Sequence, residues 1–72
     1  MRYIAVFPTI TLAQKAARVL KNDGISCEVV KVDSSRTRRG CSWGVAFDDG
    51  KIYSVRMVLS NNSIAEREII KE

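Results

Sequence analysis

The run SSRTRRGCSWGVAF, residues 34–47, sets Arg36, Arg38, Arg39 and Gly40 directly before Cys41. A cysteine is a nucleophile only as its thiolate, and nearby positive charge lowers its pKa from about 8.5. Three arginines within four residues therefore make Cys41 a candidate working thiol and the loop a candidate anion or partner site. Cys27, the only other cysteine, reads as a small buried hydrophobe. The chain has no histidine, which removes Cys–His and Ser–His–Asp catalysis and most zinc sites. Two distant cysteines do not form a metal site, and GxGxxG and P-loop motifs are absent, so neither metal nor cofactor is expected.

The elements that hold Cys41 follow from hydrophobic spacing. Tyr3 to Phe7 is apolar and β-prone and ends at Pro8. Leu12, Ala13, Ala16, Ala17, Val19 and Leu20 recur at helical spacing, with Thr9 or Thr11 as the cap and Asn22-Asp23-Gly24 as the stop. Ser26 to Val32 and Cys41 to Phe47 read as the second and third strands, joined by the arginine loop. Asp48-Asp49-Gly50 opens a second helix in which Ile52, Val55, Val58 and Leu59 share a face, the two acids acting as caps. Glu66 to Lys71 closes as a fourth strand.

The order predicts an α+β fold: a ferredoxin-like βαββαβ sandwich, with a four-stranded antiparallel sheet and two helices on one face. Residues 1–72 form a single domain. An internal repeat agrees, since Val19-Leu20, Asn22 and Ile25 recur 39 residues later as Val58-Leu59, Asn61 and Ile64. Strand alternation puts Cys41, Trp43, Val45 and Phe47 on the helix-facing side and Ser42, Gly44 and Ala46 on the other. That other side also gathers Ile4, Val6, Val30 and Val32, and so predicts a homo-oligomer formed through the open sheet face.

In this topology the third strand begins beside the end of the first, which brings Cys41 near Pro8-Thr9 and the N-terminus of the first helix. Free amides and the positive end of the helix dipole favour an anion there. Thr9 and Thr11 therefore join Arg36, Arg38, Arg39 and Gly40 as expected anion or partner contacts. Cys27 falls opposite Phe47 or thereabouts in the hairpin, roughly 15–20 Å from Cys41 at about 3.3 Å per residue, too far for a disulfide.

RYIAVFPTITLAQKAARVLKNDGISCEVV resembles the opening strand, Phe-x-[Ser/Thr] turn and helix of the selenium/sulfur carrier protein-like family of small bacterial domains. SSRTRRGCSWGVAF resembles that family's basic loop running into a cysteine–glycine strand, and the resemblance covers nearly the whole chain. It implies a cysteine that carries sulfur or selenium as a persulfide-like adduct, the position that Cys41 matches. It also implies a donor enzyme, such as a cysteine desulfurase, as partner, and so a carrier or accessory protein more than a stand-alone enzyme. Many members have glycine directly after the cysteine, whereas here Ser42-Trp43 intervene before Gly44. Aligned on GVAF, the thiol is displaced by two residues toward the loop.

Two other readings compete with the carrier. In one, a scaffold domain binds a small anion or a partner through the arginine loop, without thiol chemistry. In the other, RGCSWGVAF stands for the strand-three signature of an RNA recognition motif, with Tyr3 as its strand-one partner. Exposing Cys41 and Trp43 would leave Ser42, Gly44 and Ala46 to fill the core, which is too little volume, so nucleic acid is not expected. The composition, 46% hydrophobic and 28% charged at a net charge of +4, is that of a globular domain. No stretch has the roughly 20 apolar residues needed to cross a bilayer. MRYIAVFPT lacks the apolar core of an export signal, so a cytoplasmic location with reduced thiols is expected.

Overall fold

Six elements follow one another in the computed structural model, which describes residues 1–33 and 42–72. They are β1 (Arg2–Phe7), α1 (Ile10–Asn22), β2 (Cys27–Val32), β3 (Ser42–Asp48), α2 (Ile52–Asn61) and β4 (Glu68–Lys71). The strands form one sheet in the order β2-β3-β1-β4, with every neighbouring pair antiparallel. Both helices pack on the same side of it. This is the α+β, ferredoxin-like arrangement expected from the element order.

Helix α1 forms where alanine and leucine supply strong helix propensity and Thr9 supplies the cap. Thr9 is extended (φ −134°, ψ 155°), and its Oγ1 accepts a hydrogen bond from the Leu12 amide at 3.2 Å. The far end closes on Gly24 at φ 82°, with Gly24 N–H donating to the Lys21 carbonyl and Ile25 N–H to the Leu20 carbonyl. That pair of bonds is a Schellman cap, which satisfies carbonyls the helix would leave orphaned. Helix α2 ends the same way, Ser63 N–H donating to Ser60 and Ile64 N–H to Leu59, but with Ser63 at φ 58° where the first half has glycine. Its start differs, because a short 3₁₀ turn, Asp49–Lys51, precedes it and Asp48 caps that turn through the Gly50 amide.

The main core lies between helices and sheet. Ala5, Phe7, Val45 and Phe47 meet Ala13, Ala16, Ala17 and Leu20 of α1 and Val55 and Leu59 of α2. Fully burying a side chain such as Leu20, Leu59 or Phe47 contributes about 1.5–3 kcal/mol. The three alanines let α1 settle close to the strands.

The opposite face is not the bare apolar surface that alternation alone suggested. Ile4, Val6, Val32 and Ala46 form a second buried cluster, with Ile4 2%, Val6 0% and Val32 1% exposed. Among the described residues, Val30 and Ile70 are the partly buried hydrophobics packed beside it. Gly44 belongs to this packing: a Cβ built there would lie 2.4 Å from Ile4 Cγ2 and 3.1 Å from Val32 Cγ2. The fourth strand also starts at Glu68 and not at Glu66.

Candidate functional site

The antiparallel register of β1 and β3 pairs Phe7 with Trp43 and Val6 with Gly44, so β3 begins where β1 ends. Thr9 follows two residues beyond Phe7 and opens α1. The predicted meeting of the third strand's start with the first helix's N-terminus therefore holds for the described residues on both sides. Cys41, Arg36, Arg38, Arg39 and Gly40 lie outside the described residues.

Thr9 and Thr11 are both exposed at that helix end. Thr9 is the cap, so its hydroxyl oxygen is engaged by the Leu12 amide. The amides of Ile10 and Thr11, the first two of the helix, have no intrahelical acceptor. No acidic side chain occupies the first turn. This leaves the positive end of the helix dipole uncompensated there.

Three further residues, outside the SSRTRRGC motif, converge on this end of the sheet. Ser42, the first residue of β3, is 2% exposed. Lys31, exposed on β2, pairs with Trp43 across the β2–β3 ladder. Arg67 reaches the other side of β1, its backbone N–H donating to the Val6 carbonyl at 2.7 Å. Trp43 itself is half-buried and packs against the main core. The signal for Lys31 was present in the hairpin register, which sets it across from the tryptophan. Ser42 could not have been found from its residue type, since serine is mostly exposed.

Cys27 occupies a different environment at the opposite end of the sheet. It pairs with Phe47, as the hairpin register predicted. Its thiol donates to the Ala17 carbonyl at a sulfur–oxygen distance of 3.6 Å. Burial pushes the Cys27 pKa up, against a smaller lowering by Lys21.

A hollow of about 300 Å³ adjoins Cys27, lined also by Arg2, Glu28 and Asp48. Its polar rim is an ion cluster: Arg2 Nη1 lies 2.8 Å from Glu28 Oε1, and Arg2 Nε donates to Glu72 Oε1 at 2.7 Å. Glu72, and then Glu28, hold the Arg2 guanidinium above its already high ordinary pKa. This cluster is exposed and joins β1, β2 and the end of the chain.

Among the described residues, no group of three or more His, Cys, Asp or Glu side chains could hold a metal ion. Among the same residues, no helix is long and apolar enough to cross a membrane.

Comparison with known proteins bears on the whole scaffold and not on a single motif. No curated protein and no solved structure gives a significant match. A family model does match over residues 2–71, nearly the full length, and takes in β1, the capped α1 and the strand that follows Cys41. The chain thus belongs to the family described as "Putative Se/S carrier protein-like".

Proposed function

We propose that the protein carries sulfur or selenium on Cys41. The family match over residues 2–71 carries this reading, because the carrier role is what the family's description names. Two features of the described residues support it. The strand that begins after Cys41 starts beside an acid-free helix N-terminus, and burial raises the pKa of the other cysteine. Cys41 as thiolate attacks the outer sulfur of a donor cysteine persulfide. One S–S bond breaks as another forms, the donor sulfur leaves as thiolate, and the outer sulfur with its proton passes to Cys41 without net oxidation.

The arginines at 36, 38 and 39 and the α1 amides stabilise the anion in both states. Thr9 contributes by holding the helix start, and Thr11 and Gly40 border the same anion site. The donor is an enzyme of the cysteine desulfurase kind, and the protein acts in the cytoplasm, where thiols stay reduced. Self-association through the open sheet face would use Val30 and Ile70 among the described residues. A monodisperse monomer in sedimentation removes that part of the reading.

The test is the pH dependence of alkylation at both cysteines of the native protein, resolved by peptide mass spectrometry. Cys41 reacts fast, with an apparent pKa well below about 8.5, while Cys27 stays slow until the protein unfolds. Incubation with a desulfurase and cysteine then adds one sulfur atom to the Cys41 peptide, removable by dithiothreitol. If both thiols stay silent until unfolding, the carrier role fails and the arginine loop becomes a plain anion or partner site.

A further inference from the structure

Charge is divided unevenly between the helices and the rest of the molecule. None of the chain's eight acidic residues falls within α1 or α2. By contrast α1 carries Lys15, Arg18 and Lys21, and α2 carries Arg56, all exposed. Among the described residues none of these four forms an ion pair. The side of α2 turned from the core presents Tyr53 and Met57, 82% and 65% exposed and four residues apart, hence stacked on one helix face. The two helices pack directly on each other, so this pair and the exposed Lys15 and Arg18 of α1 share one layer.

A scattered exposed apolar residue needs no explanation. A stacked tyrosine and methionine within a field of unpaired cations is different, because tyrosine, methionine and arginine are the types enriched at protein interfaces. We propose that the outer face of the helix layer docks an acidic partner protein. Tyr53 and Met57 form the contact centre, and Lys15, Arg18 and Arg56 select a surface rich in Asp and Glu.

The size is adequate. The molecule measures 30 × 25 × 16 Å, so an interface of the standard ~800 Å² per partner takes up most of one broad face. A second copy is a poor occupant, since a two-fold contact would set one cationic face against another. A membrane is a poorer one, because two apolar side chains bury too little beside the broad Trp, Phe and Leu face of an interfacial helix. Single-stranded nucleic acid favours several stacking platforms, and Tyr53 is the only aromatic residue on this face.

The proposal is independent of Cys41, and one experiment keeps the two apart. A benzophenone amino acid replaces Ser54, which is exposed next to Tyr53, and the full chain is irradiated in extract of its source cells. The expected product is an adduct with one protein, whose crosslinked peptide, sequenced by mass spectrometry, has an excess of Asp and Glu. Its yield falls at least tenfold in Lys15→Glu/Arg18→Glu, in Tyr53→Ala/Met57→Ala, and in about 0.5 M salt, where charges are screened within a few ångströms. It persists in Cys41→Ser. Circular dichroism checks that the surface variants remain folded. No adduct, an adduct only with nucleic acid, lipid or a second copy, one indifferent to charge reversal, or one that vanishes in Cys41→Ser overturns the proposal.

Discussion

Tyr3, Ala5 and Phe7 of β1 face the helices as Trp43, Val45 and Phe47 of β3 do, at an offset of 40 residues. From the caps onward the offset is 39: Thr9 answers Asp48, Leu20 answers Leu59, and Gly24 and Ile25 answer Ser63 and Ile64. The one-residue change is Pro8, which only the first half carries between strand and cap. The plan is shared, but the bulk is distributed in opposite senses.

In α1 the core-facing residues are mostly alanine, whereas Ile52 and Val55 stand where Ala13 and Ala16 stand in the first half. On the other face of the sheet the order reverses, Ile4 and Val6 in β1 against Gly44 and Ala46 in β3. The register pairs Ile4 with Ala46 and Val6 with Gly44, so large side chains of one half lie over the small ones of the other. Two like halves pack into one sheet because they are unequal in volume.

The strongest way to probe the shared plan is to truncate its common anchor. Leu20→Ala and Leu59→Ala should each lose about 2–5 kcal/mol in urea melts. Against the ~4–11 kcal/mol that a domain of this size has, either loss is severe. Similar values would mark the two leucines as equivalent, and a small cost at one of them would break the equivalence.

Gly44→Ala tests the exchange of bulk. The added methyl meets Ile4 Cγ2 at 2.4 Å, and overpacking of this kind costs about 1–3 kcal/mol. Combined with Ile4→Ala, the loss should fall short of the summed single losses by at least ~0.5 kcal/mol, the signature of a direct contact in a double-mutant cycle.

The caps give a smaller effect. Thr9→Ala and Asp48→Ala each remove a side-chain acceptor, from the Leu12 and Gly50 amides respectively, and should cost about 1 kcal/mol.

The two helix ends give effects no larger than the caps, and opposite in sign. Gly24→Ala forces a methyl-bearing residue to φ 82°, with nothing within 4 Å to relieve or oppose it, and should cost about 1 kcal/mol of backbone strain. Ser63→Gly relaxes φ 58° and should gain about 0.5 kcal/mol, the rest being offset by the freer unfolded chain.

Period-2 and period-3.6 patterns made the element order, the helix-facing set and the Cys27–Phe47 register legible from the sequence, because burial on one side imposes them. The repeat of Val-Leu and isoleucine was legible too, and its cause is the Schellman cap that both halves share. Alternation assigned Ile4, Val6 and Val32 to the open face correctly, but it cannot say how covered that face is. The bond from Arg2 to Glu72, 70 residues away, depends on how β1 and the chain end lie together, which no local pattern specifies. The site divides in the same way. The meeting of strand start and helix start follows from topology, and the presence of Lys31 beside Trp43 follows only once the register is in hand.

The position of β1 inside the sheet, between β3 and β4, also governs how the chain is made. Neither edge of this apolar strand has a partner when it leaves the ribosome. At about 5–20 residues per second, the ~40 residues to the end of β3 take roughly 2–8 s to synthesise. The other edge waits longer, for Glu68–Lys71. Through that interval the RYIAVF segment is a β-prone strand with unpaired amides on both sides. A nascent chain of this kind is most prone to aggregate before its second half emerges, and slowed translation of residues 8–48 should lower soluble yield more than slowing after β4 is complete.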